Sequence, residues 1–176
     1  MIFRLTERNL RTKFGEFREI LYYDGQRESI ALVMGEIGAQ ENVICRVHSA
    51  CISGHVFNSV ECECQQEMEA AQDLIQKAGK GVIVYLEQEG KGNGHLALMA
   101  SIPYKKAGLK QSEAYEKAGF EKDARSFRPA AEILADLEVG SIVLLTDNPA
   151  KAEDLGKWSV NVSGTQRLDL QMTKSE

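Results

Sequence analysis

Proline is scarce in this chain, with three in 176 residues, and no repeat or low-complexity segment is present. That excludes collagen-like and Pro-rich classes and leaves a globular domain with enough chain for one sizeable core. Basic residues are outnumbered, 21 Lys and Arg against 26 Asp and Glu, giving a formal net charge of -5. A broad nucleic-acid surface needs a basic excess, so no nucleic-acid partner is expected; a local basic pocket for a phosphorylated small molecule is not excluded. No apolar run is long enough to span a membrane, so no membrane partner is expected. Residues Met1 to Arg8 carry charges where a signal peptide would be continuously apolar, which makes the cytoplasm the expected location. There the four cysteines stay reduced, which favours metal binding over disulfides.

Three of those cysteines carry the strongest signal. Cys51, Cys62 and Cys64 follow the spacing C-x10-C-x-C. Three thiolates can hold a zinc ion and leave its fourth position open for water or substrate, whereas a structural site closes all four. The spacing therefore points to chemistry more than to scaffolding. Cys62 and Cys64 fall just before or within the first turn of an expected helix, where free backbone N–H groups and the helix dipole favour thiolates. Cys45 alternates with Arg46 along an expected strand and reads as core. A closed structural site would instead need Cys45 or His55 as fourth ligand.

Periodicity gives a mixed α/β pattern. Strands are expected over Glu16 to Tyr23, Ser29 to Met34 and Val43 to Val47, with Asp24-Gly25 as a hairpin turn. A helix is expected from about Cys62 to Ala78, with Met68, Ala71, Ile75 and Ala78 as its apolar stripe. A buried strand, Gly81 to Glu87, leads into the glycine-rich loop Gln88 to Gly94. Two helices broken near Gly108 should fill residues 95–119, followed by a helix from Phe127 to Leu137. Ser141 to Thr146 reads as a strand, Pro149 to Gly156 as a short helix and Ser159 to Val162 as a last strand. The expected fold is one domain over residues 1–165, a mixed sheet flanked by helices, with a polar, loose tail over 166–176.

The motifs Arg46-Val-His-Ser-Ala-Cys51, Ser53-Gly54, Cys62-x-Cys64 and Gln88-Glu-Gly90 with Gly94 together resemble GTP cyclohydrolase II, a riboflavin-pathway family. Gly119-Phe120, Asp123-x-Arg125 and Leu144-Leu-Thr-Asp-Asn-Pro149 extend the resemblance over roughly residues 40–165. The resemblance implies that family's fold, a zinc site at Cys51, Cys62 and Cys64, and nucleotide contacts from Arg46, Glu67, Glu89, Gly90, Lys91, Thr146 and Lys151. It implies Asp123 as proton acceptor and Arg125 as nucleophile or phosphate contact. It further implies opening of a purine nucleotide's imidazole ring by metal-bound water, formate release, Mg2+ where pyrophosphate leaves, and a homodimer. Without it, Asp123 and Arg125 would read as a solvated surface pair.

The chain also departs from the family pattern. Glu61 stands where the family has arginine and His55 where it has aspartate, so the two would exchange polarity if they touch. Glu67 matches a family glutamine, Lys91 an arginine, Leu98 a lysine, Ile102 the active-site tyrosine and Gln111 a threonine. The leading expectation is a divergent zinc-dependent cyclohydrolase acting on GTP or a related nucleotide or nucleoside. The alternative is a weakened or inactive paralogue that binds or senses a nucleotide and keeps its zinc.

Overall fold

The computed structural model describes residues 1–170. Strands β1 (Phe3–Thr12), β2 (Gly15–Tyr23) and β3 (Glu28–Met34) form an antiparallel meander. Side chains alternate across a strand, and Phe17, Ile20 and Tyr22 of β2 point inward, as do Ala31 and Val33 of β3. Asp24 Oδ1 accepts from the backbone N–H groups of Gln26 and Arg27, both at 2.8 Å, closing the expected turn. The sequence pattern assigns no element to β1. Its first seven residues are exposed whichever way they point, so no alternation marks it. Pairing with β2 along its length, rather than burial, makes it a strand.

Four more strands complete one sheet: β4 (Val43–Ser49), β5 (Gly81–Leu86), β6 (Ile142–Leu145) and β7 (Val162–Gln166). The strand order is β1-β2-β3-β5-β4-β6-β7. β5 runs antiparallel to β3 but parallel to β4, and β6 and β7 continue in parallel, so the sheet is mixed as expected. The last strand lies later than the expected 159–162. Trp158 and Val160 donate their N–H groups to Leu155 O and close the preceding helix, so the strand starts only at Val162. It ends at Gln166, one residue beyond the expected domain boundary, and residues 171–176 of the expected tail lie outside the described residues.

Helices cover both faces of the sheet. Val43, Cys45 and Val47 of β4 and Val82, Val84 and Leu86 of β5 pack with Ile133 and Leu134 of α5 (Arg128–Asp136). The alternate residues Ile44 and Ile83 pack with Ala71 and Ile75 of α2 (Cys64–Ala78). Arg46 and His48 are in phase with Ile44 and so reach the α2 side. Cys45 faces the other way, is fully buried, and has its thiol pKa pushed up to about 12 by that burial. It is core, as expected, and supplies no fourth ligand. The helices α3 (His95–Lys106) and α4 (Gln111–Lys117) flank Gly108 as the pattern predicts, and α6 (Pro149–Lys157) begins where Asn148 Oδ1 accepts from Ala150 N. A short helix, α1 (Ile52–His55), was not expected. Among the described residues, no helix is long and apolar enough to cross a membrane.

Candidate active site

The parallel strands β4 and β5 end side by side, and each is followed by a loop that carries chemistry. Ligand sites in such sheets gather beyond the carboxyl ends of the strands. After β4 come Cys51 and α1, then a turn holding Cys62, then Cys64 as the first residue of α2. Their ligand atoms all lie within 4.8 Å of one another, with Cys51 Sγ and Cys62 Sγ 3.8 Å apart. Two sulfurs each about 2.3 Å from a tetrahedral zinc lie about 3.8 Å apart, so the donor set and spacing fit that ion. Burial pushes the Cys51 and Cys64 thiols above their ordinary pKa, and the neighbouring sulfurs add to this at Cys64. Thiols this close ionise together only with a compensating cation, which a divalent metal supplies. Gly54 permits the cluster: a Cβ there would stand 2.9 Å from Cys62 Sγ and 3.1 Å from Cys64 Cβ.

Behind the sulfurs lies a polar floor. Arg46 is 6% exposed and fully committed: Nη2 donates to Glu67 Oε2 at 2.6 Å, Nη1 to Leu145 O at 2.9 Å, and Nε faces His48 Nδ1 at 3.4 Å. His48 stacks on Tyr85, and burial, helped by the Arg46 charge, holds its imidazole neutral. His55 Nε2 sits 3.0 Å from His48 Nε2 and 3.3 Å from Cys64 O. This corrects the expected exchange of polarity: His55 is turned away under the cluster, and among the described residues no bond joins it to Glu61. Nor does His55 belong to the ligand cluster.

Lys151 projects into the same space from α6, 8% exposed, donating to Val47 O at 3.0 Å. Burial first, then Arg46 and Arg125, lower its pKa from 10.5 to about 7. Between those values the unfolded chain holds more protons than the folded one, so this group makes stability rise with pH. Urea midpoints of wild type and Lys151→Met at pH 7 and pH 8.5 check this. Wild type should gain on the variant as pH rises; an unchanged difference would show Lys151 ordinary.

The cavity in front of the cluster has a volume of about 470 Å3. It is lined by Cys51, Cys62, Cys64, Arg46, Glu67, Glu89, Gly90, Lys91, Arg125 and Lys151, which the sequence singled out. The family model for GTP cyclohydrolase II matches residues 4–167. The chain belongs to the GTP cyclohydrolase II family. It is 41% identical to the riboflavin biosynthesis protein RibBA of Bacillus mycoides, covering 100% of this chain and 44% of that protein. For RibBA of Bacillus cytotoxicus the identity is 40%, over 97% of this chain and 43% of that protein. The chain thus spans less than half the length of these relatives. Among solved structures it resembles RibBX, a two-domain 3,4-dihydroxy-2-butanone 4-phosphate synthase from A. baumannii. The TM-score is 0.51 and the identity 20%, over 96% of this chain and 40% of that one, a likeness of fold.

Within this GTP cyclohydrolase II domain, two expected site residues stand off the cavity wall. Thr146 Oγ1 accepts from Asn148 N at 3.0 Å and shapes the turn into α6. Asp123 lies behind Arg125, its two oxygens accepting from Nε at 2.8 Å and Nη2 at 2.6 Å. Burial works against the Asp123 carboxylate, but the Arg125 hydrogen bonds and charge outweigh it and leave its pKa below the usual range. Glu89 lines the cavity and also braces the cluster. Its Oε2 accepts from Ile52 N at 2.8 Å, fixing α1 just after Cys51. The family's tyrosine position, Ile102, lines the cavity, as do Glu61, Leu98 and Gln111.

The glycine loop also holds the Asp123–Arg125 segment, which no spacing signalled. Gln88 Oε1 accepts from Ser126 N at 2.9 Å and its Nε2 donates to Ser126 O at 2.8 Å. Asn93 does the same for Glu121, at 3.2 and 2.9 Å. Between them Ala124 N donates to Lys91 O at 2.9 Å. Two side-chain amides thus replace a β-ladder that the left-handed backbone at Gly90, Lys91 and Gly92 cannot form. Gly92 has φ +84, and a Cβ there would stand 2.6 Å from Ala124 O. Gly92→Ala is expected to release residues 121–126, raising their amide exchange at least about tenfold while β4 and β5 stay protected. Unaltered exchange at Ala124 would show that the loop does not depend on this clasp.

Proposed function

We propose that this domain is a zinc-dependent cyclohydrolase that opens the imidazole ring of a guanine nucleotide and releases formate. The observation that carries the reading is one cavity lined by both the three-sulfur cluster and Arg125. Cys51, Cys62 and Cys64 would hold zinc, which lowers the pKa of bound water to about 7 when an open position remains. Glu67 has one oxygen on Arg46 and a second with which to accept from the N–H edge of a guanine base. Lys91, Lys105 and Arg125 give the cavity positive charge for phosphate, and a bound anion would favour the protonated form of Lys151, whose pKa burial has lowered to about 7. Asp123 holds the Arg125 guanidinium and takes up protons once a substrate loosens their pairing. A role in riboflavin biosynthesis is supported by the names of the RibBA relatives. Mg2+ beside a phosphorylated substrate, a homodimer and a cytoplasmic location complete the proposal on the strength of the family alone.

Glu61 and the apolar residues Leu98 and Ile102 make part of the wall unfavourable to a triphosphate. An added like charge at such a site costs about 1 kcal/mol, or roughly fivefold in affinity. GMP or guanosine is therefore expected to serve at least as well as GTP, and Glu61→Arg to tighten GTP by about that factor. Dissociation constants for the three ligands check this; tight binding of GTP alone, weakened by Glu61→Arg, would contradict it.

The function is tested by incubating zinc-loaded protein with a panel of purine and pyrimidine nucleotides and assaying formate. Formate from a guanine nucleotide supports the enzyme. Binding without formate would favour the sensing paralogue, for which the two internally satisfied pairs, Arg46–Glu67 and Asp123–Arg125, are the structural argument.

A further inference from the structure

Buried tyrosines nearly always find a partner for their hydroxyl. Tyr22 does: it donates to Asp136 Oδ2 at 2.7 Å. Tyr115, on α4, does not. It is 1% exposed, yet its hydroxyl makes no hydrogen bond to any described residue. The ring is packed away while the hydroxyl opens onto the cavity, 3.6 Å from where a Gly90 Cβ would stand. On the neighbouring α3 wall, Leu98, Met99 and Ile102 present apolar groups, between the polar His95 and Lys105. The hydroxyl is not one of the fully buried atoms left without a partner, so it meets the cavity's solvent, and a ligand filling the cavity takes the place of that water as its partner.

We infer that Tyr115 is a substrate-contacting residue whose hydroxyl donates a hydrogen bond to a nucleotide bound in the cavity that the cysteine cluster and Arg125 also line. The inference rests on the proposed function and adds a contact that its named residues do not include. Burial and then the Glu89 carboxylate push the phenol up to about 12, so it keeps its proton throughout the neutral range and acts as a donor. Its position is firmly set. Gln111 Nε2 ties α4 to Ser101 Oγ at 3.1 Å, and Lys91 Nζ ties it to Ser112 Oγ at 2.8 Å. The helix that carries the hydroxyl is therefore held to the glycine loop and to α3, and little freedom remains to be lost when a ligand arrives.

Tyr115→Phe keeps the ring and removes only the hydroxyl; Tyr115→Ala removes both. In the ligand-free, zinc-loaded chain, Tyr115→Phe should melt at or above the wild-type temperature, because no protein hydrogen bond is lost. A clear drop would mean the hydroxyl has a structural partner and would overturn the inference. Calorimetric titration with guanosine, GMP and GTP, together with formate kinetics, gives the second readout. Tyr115→Phe should lower kcat/KM by about 10- to 100-fold, the range for one lost hydrogen bond to a polar or charged group. Wild-type behaviour of Tyr115→Phe alongside an impaired Tyr115→Ala would reduce the residue to packing and overturn the inference alone. Failure of the wild type to bind any of the three ligands would overturn the proposed function itself, and this contact with it.

Discussion

Cys64→Ser protein is expected to lose its zinc and, with it, turnover. Cys64 opens α2 and Cys51 follows β4, so one ion would join the two elements beside the Arg46–Glu67 and His55–Cys64 O contacts. Serine keeps the volume but offers a hydroxyl that does not ionise near neutral pH and binds zinc poorly. Metal analysis after gel filtration should fall from one zinc per chain to well below one, and formate release by at least about 10³-fold. Melting should drop toward that of chelator-treated wild type, because the ion binds only the folded cluster. Cys45→Ser provides the contrast. Cys45 lies on the opposite face of the sheet, so that variant should keep zinc and lose only the stability that a hydroxyl in the core costs. Full zinc occupancy in Cys64→Ser would remove the cluster from the account.

Arg125→Ala and Asp123→Asn should abolish ring opening while leaving the fold nearly intact. Asp123 is exposed while the Arg125 side chain is largely covered, its guanidinium 5.4 Å from the Phe127 ring centroid. An ion pair with one partner exposed in this way contributes about 1 kcal/mol or less to stability. Loss of a positioned proton-transfer or charge-stabilising group costs about 10²- to 10⁴-fold in rate. Because Arg125 lines the cavity and Asp123 stands behind it, Arg125→Ala should raise KM as well as lower kcat. Asp123→Asn should act mainly on kcat. Zinc content and melting measured on the same preparations separate this from unfolding. A large loss of stability with retained turnover would refute the role.

Much of this site was legible because its residues announce themselves by type and spacing. Cysteines at C-x10-C-x-C need little context, and the glycine loop followed a buried apolar strand. Alternation along β4 alone put Cys45 in the core; that the opposite face, with Arg46, meets α2 came from the structure. Other features carry no such pattern. β1 is held by backbone pairing while its side chains face solvent. Tyr115 sits among the ordinary residues of α4 and gains meaning only from a hydroxyl without a partner. Gln88 and Asn93 act on residues far along the chain through side-chain amides, a tertiary arrangement that local sequence does not encode. His55 illustrates the limit of polarity alone: it cannot say whether two positions meet, and His55 meets His48 at 3.0 Å rather than Glu61.

The central claim is ring opening at the guanine imidazole in the cavity of the cysteine cluster. It is tested most directly with a guanine nucleotide carrying 13C at C8, incubated with zinc-loaded wild type and with Cys64→Ser, and followed by 13C NMR. The account predicts that the label leaves the purine and appears as formate with wild type only. Label that stays in an intact purine with wild type, or formate that forms equally with Cys64→Ser, would contradict it.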